Sequence, residues 1–127
     1  MKRVFADTHF WIAITVPGDP WADAAKKAKA SQKNAIIVTS DEVLTEFATG
    51  LSRYGPALRQ QAVDVIRAIL NNPNVRVIAQ TRESFLKGLA RYEQRPDKQY
   101  SLTDCVSMNV MDAEQIREVL MSWFSVK

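Results

Sequence analysis

The chain has 127 residues, of which 46% are hydrophobic and 24% charged, and its formal net charge is +3. These values are typical of one globular domain over residues 1–127, and no apolar run approaches the roughly 20 residues of a membrane helix, so we expect a soluble protein without a membrane contact. Asp7 and His9 interrupt the apolar region after Met1-Lys2-Arg3 and no small-residue cleavage site follows, so we expect a cytoplasmic protein. One cysteine and one histidine exclude an internal disulfide and a self-contained zinc site, while the mild positive charge permits a nucleic-acid partner without requiring one.

Short β-branched runs alternate with helical patterns along the chain. In chain order the predicted elements are strand 3–6, a helix from about His9, helix 22–30, strand 35–38, a helix capped by Ser40, helix 57–70, strand 75–79, helix 82–92, a helix that contains Asp104, and a fourth strand at 117–121. This alternation predicts an α/β fold in three layers, α/β/α, with a central parallel sheet and right-handed crossovers.

Asp7 interrupts the apolar run "RVFADTHFWIAI" directly after the first predicted strand. Ligands of parallel sheets bind beyond the carboxyl ends of the strands, so we expect the Asp7 side chain at that functional edge. The alternative is that Asp7 caps the helix that begins near His9.

Two further acids lie beside apolar helix faces. Glu46 lies only about 60° from Val43 around its helix, and the alternative for it is a solvated border residue. Asp104 shares a face with Met108 and Met111, where a carboxylate is costly unless it is paired or bound to a cation. The alternative for Asp104 is a capping box with Ser101, which does not exclude a second role.

The three acids converge at one edge of the sheet if the helices that carry Glu46 and Asp104 begin where strands end. Clustered carboxylates repel each other and therefore need a counter-cation. Oxygen ligands, without a usable histidine or a cysteine pair, select Mg²⁺ or Mn²⁺. Such ions activate water and neutralise the charge that develops on a phosphodiester, so the predicted chemistry is phosphodiester hydrolysis.

Three segments also resemble a known family. "FADTHFWIAI" with Asp7, "TSDEVLTEFATGLSR" with Glu46 and "DKQYSLTDCVSM" with Asp104 are similar to motifs of the PIN-domain ribonucleases, and among these to the VapC-type toxins of toxin–antitoxin pairs. The resemblance covers about residues 3 to 120. It implies a compact α/β/α fold, a Mg²⁺ or Mn²⁺ site, an RNA substrate, a cognate antitoxin whose tail occupies the active-site groove, and a homodimer.

The resemblance also assigns roles by position. Asp7, Glu46 and Asp104 would be both catalytic residues and metal ligands. Thr8 and Ser101 lie where hydroxyl groups support the acidic centre in the family. Thr103 and Asp97 are further supporting candidates.

The C-terminus departs from the family pattern. Family members commonly continue from the strand at 117–121 into a Thr-x-Asp-x-x-Phe-like segment, which brings a fourth acid. Met121, Ser122 and Trp123 stand there instead, so we expect a shortened C-terminal strand region. The missing fourth acid puts the binding of a second metal ion and full activity in question. The alternative hypothesis is therefore a degenerate, catalytically weak PIN module that acts as a binding partner. A phosphatase with Asp7 as covalent nucleophile is disfavoured because position 9 is histidine.

Basic and aromatic residues complete the predictions. The predicted RNA phosphate contacts are Lys87, Arg91, Arg95 and Lys98, and the alternative for them is a solvated helix face. Trp11 and Trp21 are expected to pack in the core or at a dimer or antitoxin surface, in preference to stacking on bases. The expected core includes Leu44, Phe47, Leu51 and Cys105, the last as a small apolar residue.

Overall fold

The computed structural model describes residues 1–120. The strands are β1 (Arg3–Ala6), β2 (Ile36–Ser40), β3 (Val75–Ile78) and β4 (Val119–Leu120), and the helices are α1 (Thr8–Thr15), α2 (Ala22–Ser31), α3 (Asp41–Ser52), α4 (Pro56–Asn71), α5 (Arg82–Gln94) and α6 (Leu102–Glu114). The strands form one sheet in the order β3-β2-β1-β4, and every neighbouring pair is parallel. The helices flank this sheet, which confirms the predicted α/β architecture.

The strand order places β1 between β2 and β4. Phe5 is in register with Val38 of β2 on one side and with Val119 of β4 on the other. The chain therefore runs outward from β1 through β2 to β3 and then returns to the opposite side of β1. Such a change of direction opens a crevice at the carboxyl ends of the strands, which is where Asp7 follows β1.

Most predicted boundaries agree with the structure to within one or two residues. The Ser40 side chain accepts a 3.2 Å hydrogen bond from the Val43 amide, so Ser40 caps α3 as predicted. Helix α4 begins at Pro56, one residue earlier than predicted, because proline suits the first turn of a helix. Strand β2 extends to Ser40, which brings the start of α3 directly to the edge of the sheet.

The core lies between the sheet and the helices. The large side chains with no exposed surface include Val4, Phe5, Phe10, Val38, Val43, Phe47 and Leu51. Leu44 and Cys105 are buried with them, so the predicted core residues are confirmed. Trp11 is buried too, and its indole Nε1 donates a 3.2 Å hydrogen bond to the Thr39 hydroxyl. Trp21, in contrast, is exposed over 49% of its surface and is not a core residue.

The helix that carries Asp104 was expected to begin at the end of a strand, and this is wrong, because α6 follows helix α5. The prediction of a shortened C-terminal strand region depends on Met121, Ser122 and Trp123. These residues lie outside the described part of the chain. None of the helices in residues 1–120 combines the length and the hydrophobicity needed to cross a bilayer.

Candidate active site

One cavity of about 390 Å³ brings the three predicted acids together. Its lining residues, which we call the acidic cavity, are Asp7, Thr8, His9, Ile12, Glu46, Ser101 and Asp104. They come from the end of β1 with the start of α1, from α3, and from the start of α6. The convergence therefore arises even though α6 follows a helix, because packing of α6 against α5 and α3 carries its first turn to this edge.

Asp7 is the first residue after β1 and is only 2% exposed. It occupies the N-cap position of α1, but its side chain makes no capping hydrogen bond. The alternative in which the Asp7 side chain caps α1 is therefore wrong. Its main-chain carbonyl accepts a 3.1 Å hydrogen bond from the Phe10 amide, so the backbone starts the helix while the carboxylate lies in the cavity wall.

Glu46 is held by a residue from another helix. The Thr8 hydroxyl donates a 2.6 Å hydrogen bond to Glu46 Oε1, and the pair is partly buried. Glu46 is thus more than a solvated border residue, because its carboxylate is oriented at the cavity wall. Thr8, one of the predicted supporting residues, therefore contacts one of the three acids.

Asp104 forms the capping box with Ser101 and also lines the acidic cavity. The Ser101 amide donates to Asp104 Oδ2 and the Asp104 amide donates to Ser101 Oγ, both over 2.9 Å, so the capping box is present. Asp104 is also 4% exposed and lines the acidic cavity. Its position in the third residue of α6 turns the carboxylate back toward Ser101 and the edge of the sheet.

The donor set of the cavity suits a hard cation bound partly through water. Apart from His9, every polar side chain that lines it offers carboxylate or hydroxyl oxygen, the ligand type that Mg²⁺ and Mn²⁺ prefer. Within residues 1–120, no group of three or more His, Cys, Asp or Glu side chains is arranged to hold a metal ion directly. Magnesium ordinarily takes one or two carboxylates and keeps several waters, so the residues present fit that ion without a closed cage.

Two of the predicted supporting residues lie elsewhere. Thr103 is partly buried on α6 and does not line the acidic cavity. Asp97 is exposed and accepts a 3.3 Å hydrogen bond from Arg95 Nε. That hydrogen bond and the charge of Arg95 hold the pKa of Asp97 below its ordinary value. Asp97 is thus engaged on the 95–98 turn, away from the cavity lining.

Three of the four predicted RNA contacts share a second cavity, of about 690 Å³, between α5 and α6. Its lining residues, which we call the basic cavity, are Lys87, Ala90, Arg91, Gln94, Arg95, Asn109, Asp112 and Ala113. Lys98 lines a neighbouring cavity that also includes Arg95. None of these four cations lines the acidic cavity.

Each cation of the basic cavity already has an acidic neighbour. Lys87 lies 3.1 Å from Glu83, and Arg95 pairs with Asp97. Arg91 Nη1 donates to Asp112 Oδ2 over 2.9 Å and to Asn109 over 3.0 Å. These exposed pairs are weak, so the cations could exchange their carboxylates for phosphates at small cost.

Sequence reasoning missed two residues of the acidic cavity, His9 and Ile12. Both lie on α1 within five residues of Asp7, and Ile12 follows Thr8 by one helical turn. Helical spacing could have indicated them, because residues three or four positions apart lie on the same face of a helix. His9 has a further contact, an edge-to-face packing against Trp21, that no local pattern indicates.

The chain is similar to known proteins in sequence and in fold. The model of the PIN domain family matches residues 4–121. The chain is 32% identical over 114 residues to VapC20 of Mycobacterium tuberculosis, which is named a 23S rRNA-specific endonuclease. The match is the same for strains CDC 1551 / Oshkosh and H37Rv, and it covers 90% of this chain and 84% of VapC20. The crystal structure of M. tuberculosis VapC20, described as a Sarcin-Ricin loop cleaving toxin, superposes with a TM-score of 0.83 at 29% identity and covers 97% of this chain and 93% of that one.

These matches extend over most of the described chain. They confirm the α/β/α fold and the resemblance to VapC-type proteins that the three sequence segments indicated. A domain match over residues 4–121, a relative that is 32% identical and a similar fold lead to one conclusion: this chain belongs to the PIN-domain family.

Proposed function

We propose that this chain is a metal-dependent endoribonuclease toxin, which hydrolyses RNA phosphodiester bonds and is neutralised by a cognate antitoxin. The observation that carries the proposal is the convergence of Asp7, Glu46 and Asp104 on one cavity at the carboxyl edge of the sheet. These acids come from three separate segments, so local structure alone does not explain their meeting. PIN domains generally use divalent metal ions.

The chain's own side chains would hold and orient the ion. Asp7 and Asp104 are buried in the cavity wall and offer carboxylate oxygen, while Thr8 fixes the orientation of Glu46. We propose Mg²⁺, with Mn²⁺ as a substitute, because the donors are hard oxygens. When bound, such an ion supplies activation of water and neutralises charge that develops on the phosphodiester.

We propose that Lys87, Arg91, Arg95 and Lys98 hold the RNA backbone away from the reacting bond. Phosphate contacts of this kind position a nucleic acid without reading its sequence. The basic cavity and the cavity of Lys98 share Arg95, which gives a continuous cationic path along α5 and the turn after it. Binding through these cations would weaken as salt concentration rises.

Among RNA substrates, we propose 23S rRNA as the first to examine, because the similar protein VapC20 is named a 23S rRNA-specific endonuclease. We propose that the protein acts in the cytoplasm, where ribosomal RNA is found, and that it forms a homodimer. The exposed Leu86 and Leu89, three residues apart on α5, supply an apolar surface of the kind that interfaces bury. The degenerate-module alternative is not favoured, because the similar protein VapC20 is named an endonuclease and its structure is described as that of a cleaving toxin.

The test is cleavage of 23S rRNA and of a hairpin with the Sarcin-Ricin loop by the purified chain with Mg²⁺, Mn²⁺ or EDTA. We expect cleavage only with a divalent ion. Asp7→Asn and Asp104→Asn should each abolish it while circular dichroism and thermal unfolding show an intact fold. Asp64→Asn, which changes an exposed acid on α4, is the matched control and should cleave like the unmodified chain.

A crystal soaked in Mn²⁺ gives an independent readout. We expect anomalous density at the acidic cavity in the unmodified chain and its loss in Asp7→Asn. If the folded chain cleaves no RNA with either ion, the endonuclease proposal is wrong and the binding-module alternative gains. A phosphate trapped covalently on Asp7 would instead revive the phosphatase.

A further inference from the structure

His9 links the acidic cavity to an exposed aromatic ring. His9 lines the cavity beside Asp7 and Glu46, and its imidazole packs edge to face against the Trp21 indole. The ring centroids are 5.8 Å apart and the ring planes meet at 77°. The Trp21 ring therefore lies directly beside a residue of the cavity wall.

The Trp21 backbone is fixed although its side chain is exposed. Its amide donates a 2.8 Å hydrogen bond to Asp19 Oδ1, and its carbonyl accepts a 2.9 Å bond from Ala25 at the start of α2. The indole nevertheless remains 49% exposed. A large apolar ring held at a set position without burial is prepared for contact with another molecule.

The chemistry of the two rings indicates what they would contact. Unpaired RNA bases stack on aromatic side chains, and this stacking is tolerant of sequence because every base has a π face. A planar base that stacks on one of the two rings meets the other at nearly a right angle, which holds it on two sides. Among residues 1–120, the cavity lining supplies acids for the reaction and no aromatic side chain besides His9.

We propose that His9 and Trp21 form a stacking platform for an unpaired RNA base next to the bond that is cleaved. This inference rests on the proposed endoribonuclease function and adds two substrate-positioning residues to it. The platform acts on the base, whereas the acidic cavity acts on the phosphodiester. Loss of either ring should therefore weaken RNA binding and raise KM more than it lowers kcat.

The test measures binding of a mixed-sequence single-stranded RNA that carries 2-aminopurine, whose fluorescence falls on stacking. An Asp104→Asn background prevents cleavage, and His9→Ala, Trp21→Ala and the double variant are compared in it. We expect each single variant to bind about fivefold or more weakly and to lose the fluorescence quenching. The two losses should be less than additive, since each ring supports the other, and His9→Phe and Trp21→Phe should retain most of the binding.

Tyr54→Ala is the matched control, because Tyr54 is exposed to a similar extent, 52%, and lies outside the cavity. It should leave binding and quenching unchanged. The platform is refuted if His9→Ala and Trp21→Ala bind and quench like their parent, or if only one of the two matters. Cleavage by the unmodified chain is measured in parallel, so that a failed platform with intact cleavage differs clearly from a failed endonuclease.

Discussion

The Thr8 hydroxyl donates a 2.6 Å hydrogen bond to Glu46 Oε1 and thereby joins α1 to α3 at the wall of the acidic cavity. Thr8 directly follows Asp7, so one short segment supplies a buried acid and orients a second one. A hydrogen bond from a neutral donor to a carboxylate is stronger than one between two neutral groups. It also restricts the rotamers of the long Glu46 side chain.

We expect Thr8→Val to lower cleavage by about tenfold, the lower end of the range seen when groups that orient metal ligands are removed. Valine keeps the shape of threonine and lacks the donor, so the Glu46 carboxylate loses its orientation. Unfolding in urea should show a loss of about 1 kcal/mol. Thr8→Ser retains the hydroxyl and should retain most of the activity; equal activity of Thr8→Val and the unmodified chain would exclude an orienting role.

The capping role of Asp104 and its proposed catalytic role can be separated by substitution. Asparagine still offers an oxygen to the Ser101 amide, whereas alanine does not, so Asp104→Asn should unfold nearly like the parent and Asp104→Ala should lose about 1 kcal/mol. Both should lose RNA cleavage, because both remove the charge. Ser84→Ala, which breaks the analogous capping box of α5, is the control. Ser84→Ala should lower the free energy of unfolding by a similar amount and leave cleavage intact. If Asp104→Asn still cleaves RNA, Asp104 acts only in the capping box.

Gly88 allows α5 and α6 to pack closely. A Cβ atom at this position would lie 2.5 Å from Val106 Cγ2, and valine has few rotamers with which to move away. We expect Gly88→Ala to lower the free energy of unfolding by about 1–3 kcal/mol, although alanine favours helix by about 1 kcal/mol.

Addition of Val106→Ala to Gly88→Ala should recover part of that loss, because it removes the clashing methyl group. Gly50→Ala is the control on α3, where the nearest atom is the flexible end of Ile12 at 3.0 Å, and it should change stability little. Urea unfolding of the parent and these three variants measures the difference. If Gly88→Ala were more stable than the parent, α5 and α6 would be able to move apart without a loss in the free energy of unfolding.

Glu114 joins strands that are not neighbours. Its Oε1 lies 3.0 Å from Arg3 Nη1 and 2.6 Å from Arg76 Nη1, which connects the end of α6 to β1 and β3. Since the Glu114 side chain is only 20% exposed, Glu114→Gln should destabilise the chain by about 1 kcal/mol at low salt, and less at high salt. Glu83→Gln, which removes the exposed pair with Lys87, should cost less than about 0.5 kcal/mol. Equal effects of the two changes would argue against a linking role for Glu114.

The sequence by itself determined the elements and the local parts of the site. Alternating β-branched runs and helical stripes predicted a parallel α/β sheet, Ser40 signalled the start of α3, and the interruption at Asp7 marked the carboxyl edge. These features depend on periodicity and on hydrogen bonds between residues three or four apart, so they can be read from a short window of the chain. The capping box of Ser101 and Asp104 was predictable for the same reason.

Only the tertiary structure decided which side chains meet. The contact of Thr8 with Glu46, the packing of His9 against Trp21, and the placement of Lys87 and Arg91 in a cavity apart from the acids all depend on how separate helices pack. Asp97 carries a carboxylate like the three acids of the cavity, but it accepts a hydrogen bond from Arg95 in its own loop. Packing of this kind is set by many long-range contacts at once, and a local pattern of residues carries no record of them.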